Sequence, residues 1–309
     1  MNEFELINHY FNWPLSDPSI ELGVGDDAAL FEIDTDCQLV TSTDTLSEGV
    51  HFFKDALPGD IAYKSLAVNL SDIAAMGAKA KYFTLSLTLP KLDEIWLKEF
   101  SESLKEASEF FKVSLIGGDT TKGPLNITIT IMGVVKKSKA IKRSGAKNGD
   151  DIYVSGDIGD AALCLKKINE GIKPNSSELN KLNQPVPRVK LGPSLINIAS
   201  ACIDISDGLE QDLTHILRAS KVGAIIDSQS LPLSDSVQDY LKTSQDLGLP
   251  LCGGDDYELC FTSDQSHQAE IKKLSESLNI RITKIGVINN SQTLEIRGYE
   301  GSSKSYQHF

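Results

Sequence analysis

Nine aspartates stand in short clusters flanked by Gly, Ser and Thr, spread along the whole 309-residue chain. They are Asp26 and Asp27 in GVGDDAAL, Asp44 in TSTDT, Asp72 in NLSDIAAMG, Asp119 in LIGGDTT, Asp204 and Asp207 in CIDISDGL, and Asp255 and Asp256 in CGGDDYEL. Several follow stretches that read as strands, which puts them at strand ends. Carboxylates that converge there repel one another unless cations lie between them. Hard oxygen ligands of this kind suit Mg²⁺, and Mg²⁺ held by carboxylates commonly carries phosphate oxygens on its other side. The pattern points to phosphoryl chemistry.

The sharpest local signal lies in residues 60–76. Tyr63, Leu66, Leu70, Ile73 and Gly77 make one apolar stripe, while Ile61, Val68 and Ala75 cover the opposite side. A helix apolar nearly all round is buried. Ser65, Asn69 and Asp72 nevertheless fall on one narrow line along it. An isolated carboxylate in a dry core is too costly, so Asp72 needs a metal ion, backbone N–H groups or an ion pair. The other orphan Asp clusters need the same partner, which favours the metal.

The remaining motifs are weaker one by one. In TSTDT, Ser42 and Thr43 flank Asp44 as a compact set of oxygen donors. GDD at 25–27 is also ordinary turn chemistry. Gly117 and Gly118 before Asp119 permit close backbone approach to a phosphate, or simply a tight turn. In CIDISDG, Asp207 is adequately explained as a helix N-cap, whereas Asp204, at a strand end, suggests a ligand pair. Arg143 in KRSGAKNGD offers a rigid fork of donors to phosphate, with a solvated linker arginine as the alternative. His51 in SEGVHFF could meet a substrate anion or be structural. No Walker A loop, protein-kinase signature, G-x-S-x-G or H-E-x-x-H occurs.

These residues have to be positioned by alternating strands and helices. Strands are expected at 28–33 and 38–42, paired around the DTD turn, then at 82–89, 113–116 and 127–135. Helices are expected at 3–12, 60–76 and 93–111. A polar passage at 136–151 leads to further strands at 152–155, 201–205, 224–227, 258–262 and 281–287. Helices are expected there at 161–169, 191–199, 208–220, 237–243 and 266–278, with an irregular connector at 171–190. This is an α/β (α+β) chain of two domains. A formal charge of −13 and no long basic stretch exclude an ordinary nucleic-acid binder. No apolar run is long enough for a membrane span. Five scattered cysteines and an acidic N-terminus without a secretory pattern make the cytoplasm the expected compartment.

Taken in order, GVGDDAAL, STDTLSEGVHF, AYKSLAVNLSDIAAMGA, LIGGDTTKGP, RSGAKNGD, DISDGL and GGDDYELCF resemble the bacterial thiamine-monophosphate kinases, a family of the aminoimidazole ribonucleotide synthetase-like ATP-binding superfamily. The likeness covers essentially the whole chain, and STDTLSEGVHF, RSGAKNGD and GGDDYELCF favour this family within the superfamily. It implies an N-terminal ATP/Mg²⁺-binding, dimerising mixed-sheet domain at 1–137 and a C-terminal α/β domain at 138–309 that covers nucleotide and substrate. It implies ATP-dependent phosphorylation of thiamine monophosphate to thiamine diphosphate by a homodimer using several Mg²⁺ ions. Metal ligands then fall on Asp27, Ser42, Thr43, Asp44, Asp72, Asp119, Asp204 and Asp207. ATP contacts fall on Gly118, Asp119, Arg143 and Ser206, and substrate contacts on His51, Asp255 and Tyr306. Asp44, Asp72, Asp119 and Arg143 would carry the transfer. Asp255 departs from the family, where this acid is often Glu. The rival readings are another ATP-dependent enzyme of the superfamily and a non-catalytic nucleotide or metal sensor. A selenophosphate synthetase would need a reactive Cys in a Gly-rich N-terminal segment, which the chain lacks.

Overall fold

In the computed structural model, residues 2–15, 17–25, 28–299 and 301 are described. The chain forms two compact units, one from residues 1–73 and 78–138 and one from 74–77 and 139–309.

In the first unit, α1 (Glu3–Tyr10) is opened by a capping box between Asn2 and Glu5. It is followed by β1 (Ile20–Leu22), β2 (Leu30–Phe31), β3 (Cys37–Ser47), α2 (Pro58–Ala75), β4 (Lys79–Leu89), α3 (Glu94–Phe111), β5 (Ser114–Lys122) and β6 (Asn126–Lys136). A four-stranded sheet runs β3-β6-β4-β5. Its β4–β5 pair is parallel, across the α3 connection, and the other pairs are antiparallel. The alternation in β6 decides its two faces: Ile127, Ile129 and Ile131 are fully buried, while Thr128 and Thr130 point the other way. Proline supplies the first residue of α2, where its missing N–H costs nothing. Past the end of α2, Gly77 takes a φ of 67° and the Ala78 N–H returns to the Ile73 carbonyl.

The expected hairpin between 28–33 and 38–42 does not form. β2 pairs with β1, and β3 pairs along its whole length with β6. β2 is only two residues long and is taken by β1, so β3, among the described residues, keeps a partner on one edge alone and stands at the edge of its sheet. The loop expected after residue 116 is also strand. Gly117–Lys122 continues β5 because Thr84–Leu89 of β4 pairs with it.

The second unit contains β7 (Asp151–Ser155), α4 (Asp160–Asn169), α5 (Ser176–Asn183), α6 (Leu191–Ser194), β8 (Ala199–Asp204), α7 (Leu209–Ser220), β9 (Gly223–Asp227), α8 (Asp235–Ser244), α9 (Gly248–Cys252), β10 (Leu259–Ser263), α10 (Gln268–Leu278), β11 (Ile282–Asn289) and β12 (Leu294–Arg297). Its sheet runs β12-β9-β11-β7-β10-β8. Every residue of β7 and β10 is buried, because the sheet is covered on both faces. One face packs Ile152, Val154, Ile203 and Cys260 with Leu209, Leu213 and Ile216 of α7. The other packs Tyr153, Cys202 and Phe261 with Leu191, Leu195 and Ile271. Cys202 and Cys260 therefore sit on opposite faces, and none of the five cysteines is bridged.

Three expectations are corrected in this unit. The connector at 171–190 contains α5, nucleated by an Asn175–Glu178 capping box. The helix expected at 191–199 is the short α6, because Ala199 already belongs to β8. α9 and β12 were not expected at all. The chain is a mixed α/β protein of two units, as the alternation of elements predicts.

Candidate active site

Ser42 and Asp44 project from the same face of β3, and α2 lies against that face. The Ser42 hydroxyl donates to Asp72 Oδ2 at 2.5 Å, and the Asp44 backbone N–H donates to Asn69 Oδ1 at 3.2 Å. Asn69 Nδ2 in turn donates to the Ser65 carbonyl at 2.9 Å, and Ser65 Oγ to that of Ile61 at 2.7 Å. The polar line expected on α2 is thus a clamp: Asn69, fully buried, and Asp72 grip β3 at two points two residues apart. The clamp brings the Asp44 and Asp72 carboxyls together. Burial, and next the Asp72 charge and its hydrogen bond, push the Asp44 carboxyl up to about 7. Two such carboxyls must share a proton or a cation.

Strand alternation sends the Thr43 side chain to the opposite face, where its hydroxyl pairs with Thr130 Oγ1 at 2.9 Å. Thr45 and Thr128 repeat the contact at 2.8 Å. Asp119 lies on β5, beyond β6 and β4, aligned with Ser86. Through the ladder, Asp44 shares its face with Ile129, Leu85 and Gly118, so Asp119 belongs to the other face. The expectation of one convergence at strand ends is corrected: Asp44 and Asp119 both lie within strands, on opposite faces. Ser42, Asp44 and Asp72 come together; the Thr43 hydroxyl and Asp119 do not join them. Asp27 lies outside the described residues. Among those described, the cluster of three close enough for one ion is Asp34, Asp36 and Cys37, in a surface turn where Asp36 already pairs with Lys136.

Asp119 and Gly118 instead line a cavity of about 600 Å³ within the first unit, with Ile7, Phe11, Val24 and Leu115 among its apolar walls. That size and lining suit a small-molecule ligand. Gly118 is needed there for packing, since a Cβ would collide with the Leu85 carbonyl oxygen. His51 follows β3, and its Nδ1 accepts the Ser47 N–H at 3.0 Å, so a neutral ring carries its proton on Nε2.

In the second unit Asp204, buried, ends β8; Ser206 is exposed and Asp207 partly so. Asp207 is not the N-cap of α7. That position is Gly208, and the amides there are taken by Asp212, whose Oδ2 accepts from Ser206, Asp207 and Gly208 at 3.0, 3.0 and 3.2 Å. Burial, and next the Asp207 charge, push Asp212 up to about 7 against the pull of these amides. The Asp207 carboxylate is left to accept from Gln211 at 2.9 Å.

The GGDDYEL loop is knitted to this turn. Asp255 and Tyr257 donate their backbone N–H groups to the Ser206 and Ile205 carbonyls, each at 2.8 Å. The Tyr257 hydroxyl donates to Asp255 Oδ1 at 2.9 Å. Both residues hold positive φ, 63° and 51°, and a Cβ on Gly254 would strike the Ser206 carbonyl. Behind the loop, buried Glu258 accepts Arg188 in a bidentate pair and Ser155 Oγ at 2.5 Å. Arg143 is exposed; with burial first and Arg218 after it, its charge holds His215 of α7 below its usual value. Asp207 acts on the same histidine, and the Arg143 carbonyl accepts from Ser220 Oγ at the far end of α7. Tyr306 lies outside the described residues.

Sequence reasoning missed Asp212, the Arg188–Glu258 pair and the clamping role of Asn69. Asp212 had a signal, as an acid on the buried face of an amphipathic helix, four residues after its cap. Arg188 and Glu258 lie 70 residues apart, and nothing local joins them.

Two mixed units with acid-bearing turns place the chain in a known class. The family described as "AIR synthase related protein, N-terminal domain" matches residues 25–135, and its C-terminal counterpart matches 147–298. The thiamine-monophosphate kinase of Buchnera aphidicola subsp. Schizaphis graminum is 45% identical over 300 residues, covering 94% of this chain and 92% of that protein. The crystal structure of the Stenotrophomonas maltophilia K279a thiamine-monophosphate kinase has a TM-score of 0.87 at 42% identity, covering 92% and 93% of the two chains. The structure of AaThiL complexed with AMPPCP and TMP has a TM-score of 0.81 at 28% identity, covering 99% and 95%. The chain belongs to the thiamine-monophosphate kinases, and it is a kinase. Among the described residues no helix is long and apolar enough to cross a membrane.

Proposed function

We propose that the protein transfers the terminal phosphoryl group of ATP directly, in line, to the phosphate of thiamine monophosphate, giving thiamine diphosphate and ADP. The observation that carries the reading is the Asp44–Asp72 pair, clamped by Ser42 and Asn69 into a geometry that needs a cation or a proton between two carboxyls. Those acids fit Mg²⁺, and we assign one ion to them; Asp27, Asp119, Asp204 and Asp207 are assigned to separate Mg²⁺ ions of the same reaction. Bound there, Mg²⁺ would supply neutralising charge to the polyphosphate.

The chain's own work is positioning. The cavity beside Gly118 and Asp119 has the size and lining to seat part of the nucleotide. Arg143 and Ser206 are assigned to ATP, and His51, Asp255 and Tyr306 to thiamine monophosphate. The incoming phosphate is already an anion near neutral pH, so no strong general base is required. This agrees with a His51 whose Nδ1 is occupied by the backbone. The binding of AMPPCP and TMP by the relative supports the same substrate pair here. A homodimer pairing through the first unit is part of the proposal, supported by kinship and by the exposed face of β3 that carries Leu39, Thr41, Thr43 and Thr45. A reducing compartment such as the cytoplasm agrees with five unbridged cysteines.

Incubation with ATP, MgCl₂ and thiamine monophosphate should yield thiamine diphosphate, and free thiamine should yield none because it lacks the accepting phosphate. Turnover of thiamine alone, or ADP release with no diphosphate product, would contradict the assignment.

A further inference from the structure

We propose that Asp212 is a positioning residue for nucleotide binding, and that it makes the turn at Ser206–Gly208 a reader of metal-bound phosphate rather than of bare phosphate. The inference rests on the function proposed above and goes one step further, to what this turn recognises.

Successive N–H groups at the start of a helix form a concavity of positive potential, the usual seat of a phosphate oxygen. α7 is twelve residues long and begins at such a turn. Its concavity is already filled. The Asp212 side chain rises from the first turns of α7, only 3% of the residue being exposed, and one oxygen takes the N–H groups of Ser206, Asp207 and Gly208 together. Gly208, with a φ of 115° and a Cβ position that would strike Cys252 backbone, allows the turn to close this tightly.

Two consequences follow. The three amides are withdrawn from any incoming anion, so the turn offers a ligand the Ser206 hydroxyl and the Asp207 carboxylate instead. Those groups attract a cation and repel an uncomplexed polyphosphate. The turn is also locked in the shape that points the Ser206 carbonyl at the Asp255 N–H. Asp212 therefore couples the GGDDYEL loop to the turn without touching ligand itself.

The test is steady-state kinetics on the full-length protein with Asp212→Ala and Asp212→Asn, varying ATP, Mg²⁺ and thiamine monophosphate separately. Hydrogen exchange at the amides of Ser206, Asp207 and Gly208 runs alongside. Asparagine keeps one oxygen able to accept all three amides, so its KM for Mg-ATP should rise about 5-fold. Alanine keeps none and should raise it about 30-fold. In both, the KM for thiamine monophosphate should rise by less than that for Mg-ATP, since Asp255 feels the loss only through the Ser206 carbonyl while the turn feels it directly. The alanine variant should also bind metal-free ATP more tightly than wild type, because the concavity is open, and exchange at the three amides should accelerate.

A folded Asp212→Ala protein with wild-type KM for Mg-ATP and unchanged exchange overturns the proposal. If that variant does not fold, Asp212→Asn decides. A KM for Mg-ATP raised more than that for thiamine monophosphate supports the proposal, and a lowered Tm with wild-type KM values overturns it. Absence of thiamine diphosphate formation by the wild type would instead defeat the functional reading, while the exchange experiment would still report the hold of Asp212 on the turn.

Discussion

Asp44 and Asp72 cannot both carry full negative charge at the spacing β3 and α2 impose unless something positive lies with them. Mg²⁺ should therefore raise the Tm of the wild-type protein at pH 8 and leave that of Asp44→Asn or Asp72→Asn nearly unchanged, as read by thermal unfolding with and without MgCl₂. An equal Mg²⁺ shift in all three proteins would place the ion elsewhere. Asn69 belongs to the same account but acts through structure. Asn69→Ala removes the acceptor of the Asp44 N–H, and should cost about 1–3 kcal/mol in urea unfolding while also lowering kcat. Asp72 and Asn69 were legible because their line on an otherwise apolar helix has no packing explanation. The faces of Thr43 and Asp119 were not, because they depend on where each strand starts and stops.

The elements show why those boundaries were hard to read. β3 and β5 are polar, Thr-rich or Gly-containing over the stretches that were expected to be loops, and only pairing with β6 and β4 makes them strands. α5 had a readable signal in Asn175–Glu178, obscured by the three prolines around it. β12 adds to β9 at a sheet edge with four residues, too few for a period to show.

Two predictions belong at this scale. Arg188 ties the segment before α6 to buried Glu258, and Arg188→Ala leaves a buried carboxylate unpaired; about 3–5 kcal/mol should be lost in denaturant unfolding. Asp17 is tied to Lys81 of β4 at 2.5 Å. Burial opposes its ionisation, but the hydrogen bonds from Lys81 and Ser19 prevail and hold it at about 2, below its ordinary 3.8. A carboxyl depressed on folding stabilises the fold above its unfolded pKa. That contribution fades as pH falls from about 4 towards 2. Asp17→Asn should flatten the stability profile across that window and lower the plateau above it by a constant amount, without changing its slope there.

At the scale of the molecule, the alternation of elements was enough to give two α/β units, and the ordered motifs were enough to give the family. What no spacing could give is the division of labour among the acids. Within the first unit, one pair is clamped between β3 and α2, while Asp119 stands at the opposite edge of the sheet beside a cavity. In the second unit, Asp207 is freed from capping because Asp212 does that work. Residues that hold other residues, such as Asp212 and Arg188, carry no motif of their own and become visible only through their partners.

The most direct measurement is thiamine diphosphate formation by Asp44→Asn and Asp72→Asn at saturating ATP and thiamine monophosphate across a range of Mg²⁺, with circular dichroism confirming the fold. Each variant should lose about two to three orders of magnitude in turnover at every Mg²⁺ concentration. Near-wild-type rates in both, at limiting Mg²⁺, would show that the clamped pair is not where the phosphoryl transfer is supported.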